Sequence, residues 1–330
     1  DDGGSSFDPK VALRWDATDM LTFRASASTT FRGPPSSALS GTATALGFIT
    51  PALAFKAVDT TGNPDLEPEE ATALNFGAIF QTDNFYGSID YWSFDFSDPL
   101  QLESANQIVA AYGAAGCEDG GAGVGTSDCD VLRTRLTPEG TTIGGVQRIS
   151  RFVINGADIK TSGIDYVASY AFDDVIGGTV DVGVEGTYNL EYDSDDFVSL
   201  EGVTLASGGD FIGKSNEGTP FTPLPEFKNN FFVRWGNEQH RLGYTGRWVS
   251  GYDDEASDTP AALRKIDDHL THDITYVNNT IDNLTVSLSV FNVTDEDPPQ
   301  VANDLNFDPY NHSGFGRMIK LGLVYTFGQN

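Results

Sequence analysis

The sequence has no run of apolar residues long enough to cross a membrane as a helix. Among its 330 residues 39% are hydrophobic, and the mean hydropathy is -0.25. A spanning helix needs ~20 consecutive, mostly apolar residues. The composition does not exclude membrane-spanning β-strands, because each one needs only about 9–11 residues with every second one apolar.

Basic residues are also scarce, since 19 Lys and Arg stand against 48 Asp and Glu, for a formal charge of -29. Nucleic acid is therefore excluded as a partner, because its phosphates are bound by Lys and Arg. The acidic excess fits a solvated, exported surface. Adaptation to high salt would produce the same excess.

Cysteine is limited to Cys117 and Cys129, which lie in a Gly- and Asp-rich stretch. In an exported protein this close spacing predicts a local disulfide. Closing such a short loop stabilises a protein by ~3 kcal/mol in the entropic account. Free thiols and metal ligation are the alternatives.

The first ten residues, DDGGSSFDPK, show neither the basic segment nor the apolar core of a signal peptide. We interpret the start of the chain as a cut inside a longer protein.

Strict alternation of apolar and polar residues is the main structural signal, and it is typical of β-strands. In 284–291, Leu284, Val286, Leu288 and Val290 oppose threonine and serine. In 179–192 the pattern predicts that one face carries Val180, Val182, Val184, Gly186, Tyr188, Leu190 and Tyr192. We expect Val182 and Leu288 to face lipid, and Glu185 and Ser287 to face a wet interior.

Eleven such segments are found. They cover about 8–16, 20–31, 69–82, 84–98, 150–172, 178–194, 222–236, 239–251, 265–278, 283–294 and 315–327, and the fifth has an alternative start near Ile159. Many are longer than the 5–6 residues of an average strand.

Short polar turns alternate with long loops at about 31–66, 99–146, 193–220, 252–262 and 295–314. This alternation is typical of an outer-membrane barrel with extracellular loops.

An odd number of strands conflicts with the even counts of single-chain bacterial barrels. Two open edges in lipid would also leave backbone groups unpaired. The sequence therefore predicts an all-β, antiparallel transmembrane barrel of which about eleven strands are present and others are missing.

Four stretches resemble the C-terminal part of TonB-dependent receptors. The pair FDPKVALRW and LTFRASASTTFRGPP resembles two of that family's strands and their corner. GNPDLEPEEATALNFGAIF resembles a strand start with the pattern N-P-x-L-x-P-E, TSGIDYVASYAF resembles a G-x-D/E strand start, and FNVTDEDPP resembles an N-L-x-D strand end.

The last strand, KLGLVYTF, resembles the C-terminal signal of outer-membrane barrels. Lys320, Gly322, Tyr325 and Phe327 match its polar-x-Gly-x-x-aromatic-x-aromatic pattern, although Gly328-Gln329-Asn330 follows where the family usually ends. The resemblance implies that the barrel-assembly machinery binds this strand.

The family resemblance, which covers nearly the whole chain apart from its long loops, implies a 22-stranded barrel whose plug and first half are missing. It implies location in the outer membrane of a Gram-negative bacterium, uptake of a scarce nutrient, and energy coupling to the TonB complex through the missing N-terminal part. A passive porin-like channel and a structural or adhesive surface barrel are the alternatives.

No catalytic site, metal site or cofactor is expected. There is no nucleophile–His–acid set, and the adjacent Glu69 and Glu70 belong to a strand start. His269 and His272 cannot chelate one metal together from a strand, because positions i and i+3 point to opposite faces.

The sequence indicates the ligand class only weakly. Acidic loops disfavour anionic ferric siderophores, so we rank a glycan or peptide slightly ahead of a siderophore or cobalamin. Loop aromatics offer candidate stacking contacts: Phe48, Phe55, Tyr112, Phe211, Tyr252, Phe307 and Tyr310.

Overall fold

A computed structural model describes residues 7–215, 224–255, 259–302 and 305–327. Eleven long strands form its framework: β1 (Lys10–Asp16), β2 (Leu21–Arg32), β3 (Glu69–Gln81), β4 (Phe85–Ser97), β5 (Ile159–Val175), β6 (Gly178–Ser194), β7 (Phe227–Gly236), β8 (His240–Val249), β9 (His269–Ile281), β10 (Leu284–Phe291) and β11 (Met318–Tyr325).

Each of these strands pairs antiparallel with its neighbour in the sequence, so the sheet runs from β1 to β11 without a crossover. A short strand, Gly209–Asp210, also pairs with the end of β6. The predicted all-β antiparallel fold with eleven long strands is confirmed.

The sheet has one apolar and one polar face because side chains alternate along each strand. On β11 the apolar face carries Ile319, Leu321 and Leu323, all well exposed, while Lys320 pairs in register with Ser289 and Gly322 with Ser287. Val182 and Leu288 lie on the apolar face. Glu185 and Ser287 lie on the polar face, where Asn230 donates a hydrogen bond to Glu185 at 3.2 Å.

The fifth strand starts at Ile159, which confirms the alternative start and not the start at residue 150. Residues Arg148–Asn155 form a separate loop strand. The amide of Asn155 donates to the carbonyls of Glu67 and Asp98, both at 2.9 Å, and these contacts draw the chain away from the barrel sheet.

The end of β6 corrects a second prediction. The register between β5 and β6 shifts between Ser162 and Gly163, and Tyr192 is paired with Thr161. This bulge inserts an extra residue and reverses the alternation beyond it. Tyr192 therefore lies on the polar face, and its predicted position beside Val182 is wrong.

The other strand bounds differ by a few residues from the predicted ones. The ninth strand is shifted towards the C-terminus, and the tenth and eleventh are shorter than predicted. The seventh begins at Phe227, and residues 222–223 of its predicted start lie outside the described part of the chain.

Short turns at 17–20, 82–84, 176–177, 237–239 and 282–283 join the strands on one side of the sheet. Long loops at 33–68, 98–158, 195–226, 250–268 and 292–317 join them on the other. The predicted alternation of short and long connections is confirmed.

The long loops have secondary structure of their own. They contain helices α1 (Ser36–Leu39), α2 (Ala105–Ala114) and α3 (Ser127–Thr134), with single 3-10 turns at Thr50–Ala52, Ile143–Gly145 and Ala261–Leu263. Their other strands are Thr42–Ile49, Ala54–Thr61, Leu100–Leu102, Leu136–Thr137, Phe197–Val198, Thr204–Ala206, Lys214–Ser215, Tyr252–Asp254 and Lys265–Ile266.

The first three long loops share one hydrophobic core and are called the loop cluster here. Ile49 from the first loop, Val109 and Leu132 from the second, and Phe197 and Leu205 from the third belong to the same buried group. In the described residues no helix is long and apolar enough to span a membrane.

Candidate functional site

The polar face lines two sizeable cavities. One, of about 760 Å³, lies between β5–β11 and the last long loop and is bordered by Glu185, Lys228, Arg247 and Asp273. The other, of about 530 Å³, is nearer the short turns and is bordered by Asp181, Arg234 and Arg241. Charged groups of both signs therefore line this face of the sheet.

Ion pairs hold several of these wall residues. The Arg247 Nε donates to Asp273 Oδ2 at 2.8 Å, and Asp273 also accepts from the backbone N–H of Asn292 at 2.9 Å. Arg24 on β2 forms a two-pronged pair with Asp90 on β4. That pair passes over Gly77 of β3, where a Cβ would collide with the Asp90 carboxylate.

The second loop is closed by a Cys117–Cys129 disulfide with a Cα–Cα distance of 5.1 Å. Both cysteines are fully buried. The Thr126 side chain caps α3 by accepting from the N–H of Cys129. The predicted disulfide is confirmed, and it ties α3 to the segment that follows α2.

A buried charge network joins the second and third loops. Glu103 and Arg135 are paired through two hydrogen bonds of 2.9 and 3.2 Å. Glu103 also accepts from the backbone N–H groups of Phe152 and Leu200, and Arg135 reaches Glu201. Because both charges are buried, loss of either Glu103 or Arg135 would leave the other charge buried without its main partner, which destabilises the folded loops.

The last two long loops meet above the larger cavity. The Tyr252 hydroxyl donates to Asp308 at 2.8 Å, and Nδ1 of His312 lies 3.1 Å from Nδ1 of His269. Burial, reinforced by repulsion from His269, lowers the pKa of His312 to about 4. Burial and the hydrogen bond to Asp308 raise the pKa of Tyr252. His272, on the opposite face of β9, contacts Tyr244, as its spacing from His269 predicts.

Comparison with known proteins shows the family. The sequence matches the family described as TonB dependent receptor-like, beta-barrel, over residues 1–293. The chain belongs to this family. No curated protein sequence matches it.

The receptor barrel also resembles solved structures. These include the ferric enterobactin receptor PfeA of Pseudomonas aeruginosa (13% identity, TM-score 0.62, covering 98% of this chain and 41% of that one) and the siderophore receptor PirA of Acinetobacter baumannii (14%, 0.61, 98% and 41%). The FrpB iron transporter of Neisseria meningitidis is a third (14%, 0.54, 98% and 39%).

At these identities the likeness establishes the fold. The chain spans about two fifths of each solved relative. Family and fold place the receptor barrel in the outer membrane of a Gram-negative bacterium. Its apolar face therefore meets lipid and its polar face lines the lumen, while the extracellular position of the long loops stays a prediction.

The predicted stacking aromatics of the receptor barrel fall into two groups. Tyr112, Phe211 and Tyr252 are buried, and the Tyr112 hydroxyl donates to the Thr141 carbonyl at 2.7 Å. The prediction is wrong for these three because their rings fill the interiors of the loops.

The other four aromatics keep accessible surface. Phe48 and Phe55, 41% and 69% exposed, form an edge-to-face pair with centroids 5.3 Å apart. Tyr310 is 71% exposed, and Phe307 is half-buried against Gly314. Ligand contact by these four stays a prediction.

The C-terminal residues divide between the faces of the receptor barrel. Lys320 and Gly322 lie on the lumen face, and Tyr325 lies on the lipid face. Phe327 follows the strand, is 85% exposed and packs edge-to-face on Tyr325. Residues 328–330 lie outside the described part. The assembly-signal role of these residues stays a prediction.

Sequence reasoning missed a row of lumen aromatics. Trp92, Phe94 and Phe96 occupy alternate positions of β4, on the face that carries Asp90. The segment YWSFDFS contains the period-two signal that places these three rings on one face.

Proposed function

We propose that this chain is the C-terminal part of an outer-membrane receptor that imports a scarce nutrient, with a glycan or peptide as the preferred ligand class. The observation that carries the proposal is the charged lumen wall with its cavities of about 760 and 530 Å³, beside long loops that have folded structure of their own. A concave site with a few well-placed polar groups is typical of ligand binding.

The missing strands would close the barrel with β1 and β11, for an expected total of 22. A plug in the N-terminal part would couple the receptor to the TonB complex, and the barrel-assembly machinery would insert it. The solved relatives include receptors whose names specify ferric enterobactin and siderophores.

The ligand preference rests on charge. The last loop contains Asp295, Glu296, Asp297, Asp304 and Asp308 against Arg317, and like charge repels an anionic chelate at the entrance. Exposed Phe48, Phe55 and Tyr310 offer apolar ring faces to a neutral ligand.

The experiment is an uptake assay with the full-length receptor in a strain without competing receptors, with and without TonB. Labelled neutral oligosaccharides, peptides, a ferric siderophore and cobalamin serve as probes. We expect oligosaccharide or peptide to accumulate only when TonB is present. Accumulation without TonB would identify a passive channel, and accumulation of only the siderophore or cobalamin would overturn the ligand class.

A further inference from the structure

Three aromatic rings form a continuous row on the lumen wall, called the aromatic row here. Trp92 and Phe94 have centroids 5.9 Å apart, and Phe94 and Phe96 lie 6.0 Å apart with planes inclined by only 21°. All three project from alternate positions of β4 towards the end that leads into the long loop at 98–158. Aromatic rings on a lipid face need no special explanation, but this row faces the aqueous lumen.

Small residues flank Phe94 and Phe96 on β3 and Trp92 on β5, whereas Thr161 and Ile159 of β5 lie in register with Phe94 and Phe96. Ala73 and Ala71 of β3 lie in register with Phe94 and Phe96, and Gly163 of β5 lies in register with Trp92. A Cβ at Gly163 would collide with Cζ2 of Trp92, so the indole lies directly over the glycine backbone. The neighbours therefore leave ring surface uncovered, and Phe94 is 38% exposed.

A polar cavity of about 440 Å³ adjoins the row on the side of the short turns. Arg24, Asn75, Asp90 and Asp165 border it. Asn75 lies in register with Trp92, and Asp90 is two positions before Trp92 on the same strand face. The Arg24–Asp90 pair orients both planar groups, while Thr187 donates to Asp165 at 2.7 Å.

The aromatic row and the polar cavity beside it together match the surface of a sugar. A sugar ring has an apolar C–H face that packs on an aromatic ring, and hydroxyls that pair with carboxylate, amide and guanidinium groups at its edge. The Asp165 carboxylate repels an anionic ring system, which disfavours a negatively charged aromatic chelate. A neutral sugar satisfies both the apolar row and the polar cavity.

We propose that Trp92, Phe94 and Phe96, together with Asn75 and Asp165, form a carbohydrate-binding subsite on the lumen wall. The subsite takes consecutive rings of a neutral oligosaccharide along the aromatic row, and hydroxyls of the ring nearest Trp92 reach Asn75 and Asp165. This subsite proposal rests on the proposed import function and names the class of ligand for it.

The test measures glycan binding by the full-length receptor in detergent. An array of neutral linear oligosaccharides with different sugars and linkages is the probe. We expect wild type to bind at least one series, with Trp92→Ala or Phe94→Ala weakening binding roughly tenfold, as expected for loss of an aromatic contact. Phe94→Leu keeps apolar bulk without the ring and should also weaken binding.

Phe76→Ala is the matched control. Phe76 lies in register with Tyr91 on the lipid face of β3 and is exposed there, so its loss should leave glycan binding unchanged. Heat-modifiable migration verifies that each variant is assembled before binding is measured.

The outcomes separate the subsite from the import function. No binding to any array member, or equal binding by wild type, Trp92→Ala and Phe94→Leu, overturns the subsite. Glycan binding that these variants weaken, without TonB-dependent uptake, supports the subsite and contradicts import. If another probe is taken up in a TonB-dependent way and no oligosaccharide of the array binds, the result supports import and overturns the subsite.

Discussion

Glu103 stands between Leu102 and Ser104 in the sequence, with no basic residue nearby, yet its carboxylate joins two loops. Its partner Arg135 is 32 positions away, and the Leu200 N–H that it accepts from is 97 positions away. Side-chain patterns report local structure, so such distant contacts could not be predicted from the sequence.

Removal of this carboxylate should destabilise the loop cluster strongly. Glu103→Ala leaves the Arg135 charge buried without its main partner, at a cost of about 3–5 kcal/mol. Hydrogen exchange of amides in 98–158 and 195–206 measures the effect. Asp119→Ala, which removes an exposed partner of Arg133, is the control and should cost no more than about 1 kcal/mol. Equal effects of the two variants would contradict the account.

The His269–His312 contact should loosen as the solution becomes acidic. The His312 pKa of about 4 in the folded loop lies below its ordinary 6.5, so the released loop binds a proton more readily. Neutral His312 therefore contributes to the stability of the folded loop above pH 6.5. This contribution, up to about 3 kcal/mol, is lost as the pH falls towards 4.

A spin label at Tyr310→Cys measures this change, because both native cysteines are bonded to each other. Its mobile fraction should increase between pH 7 and pH 5. His312→Phe keeps a ring beside Tyr252 but cannot titrate, and it should remove most of the pH dependence. An unchanged pH dependence in that variant would exclude His312 as the cause.

At the scale of elements, the barrel strands were predictable because each one carries its own alternation. The folded loops were not, because α2, α3 and their short strands are held by the shared core of the loop cluster. The bulge near Tyr192 escaped prediction, since it arises from pairing with β5, whereas the start near Ile159 was one of the two starts that the sequence offered for the fifth strand. Lumen aromatics could be separated from lipid-facing ones only by register.

The disulfide should stabilise its loop and leave the barrel unaffected. Cys117→Ser with Cys129→Ser should cost the loop cluster ~3 kcal/mol through the added freedom of the unfolded loop. Limited proteolysis should then cleave within 98–158 faster, while the heat-modifiable migration of the barrel stays the same. Loss of folded barrel in this variant would show that the loop is needed for assembly.

The C-terminal aromatics should matter for assembly through the lipid-facing side of β11. Tyr325→Ala with Phe327→Ala should reduce the amount of folded receptor, because the proposed signal depends on these rings. Val324→Ala alters the neighbouring lumen-facing position and is the control. Equal amounts of heat-modifiable protein in both variants would contradict the assignment of Tyr325 and Phe327 to an assembly signal.

At the scale of the whole molecule, the two unpaired edges of the sheet should limit the stability of the chain most. The sheet order ends at β1 and β11, and no described strand covers their outer edges. These strands have seven and eight residues, and about half of the backbone groups of an edge strand point away from the sheet. Each unpaired group in lipid costs several kcal/mol.

The combined cost exceeds the ~5–15 kcal/mol that stabilises a typical domain, so residues 1–330 alone should not form a stable monomer in a membrane. Expressed alone, they should be sensitive to protease and show no heat-modifiable form, whereas the full-length receptor shows both resistance and heat-modifiability. The full-length protein is also the control for expression and extraction. A protease-resistant monomer of residues 1–330 that unfolds sharply would mean that β1 and β11 close on each other, and it would contradict the need for further strands.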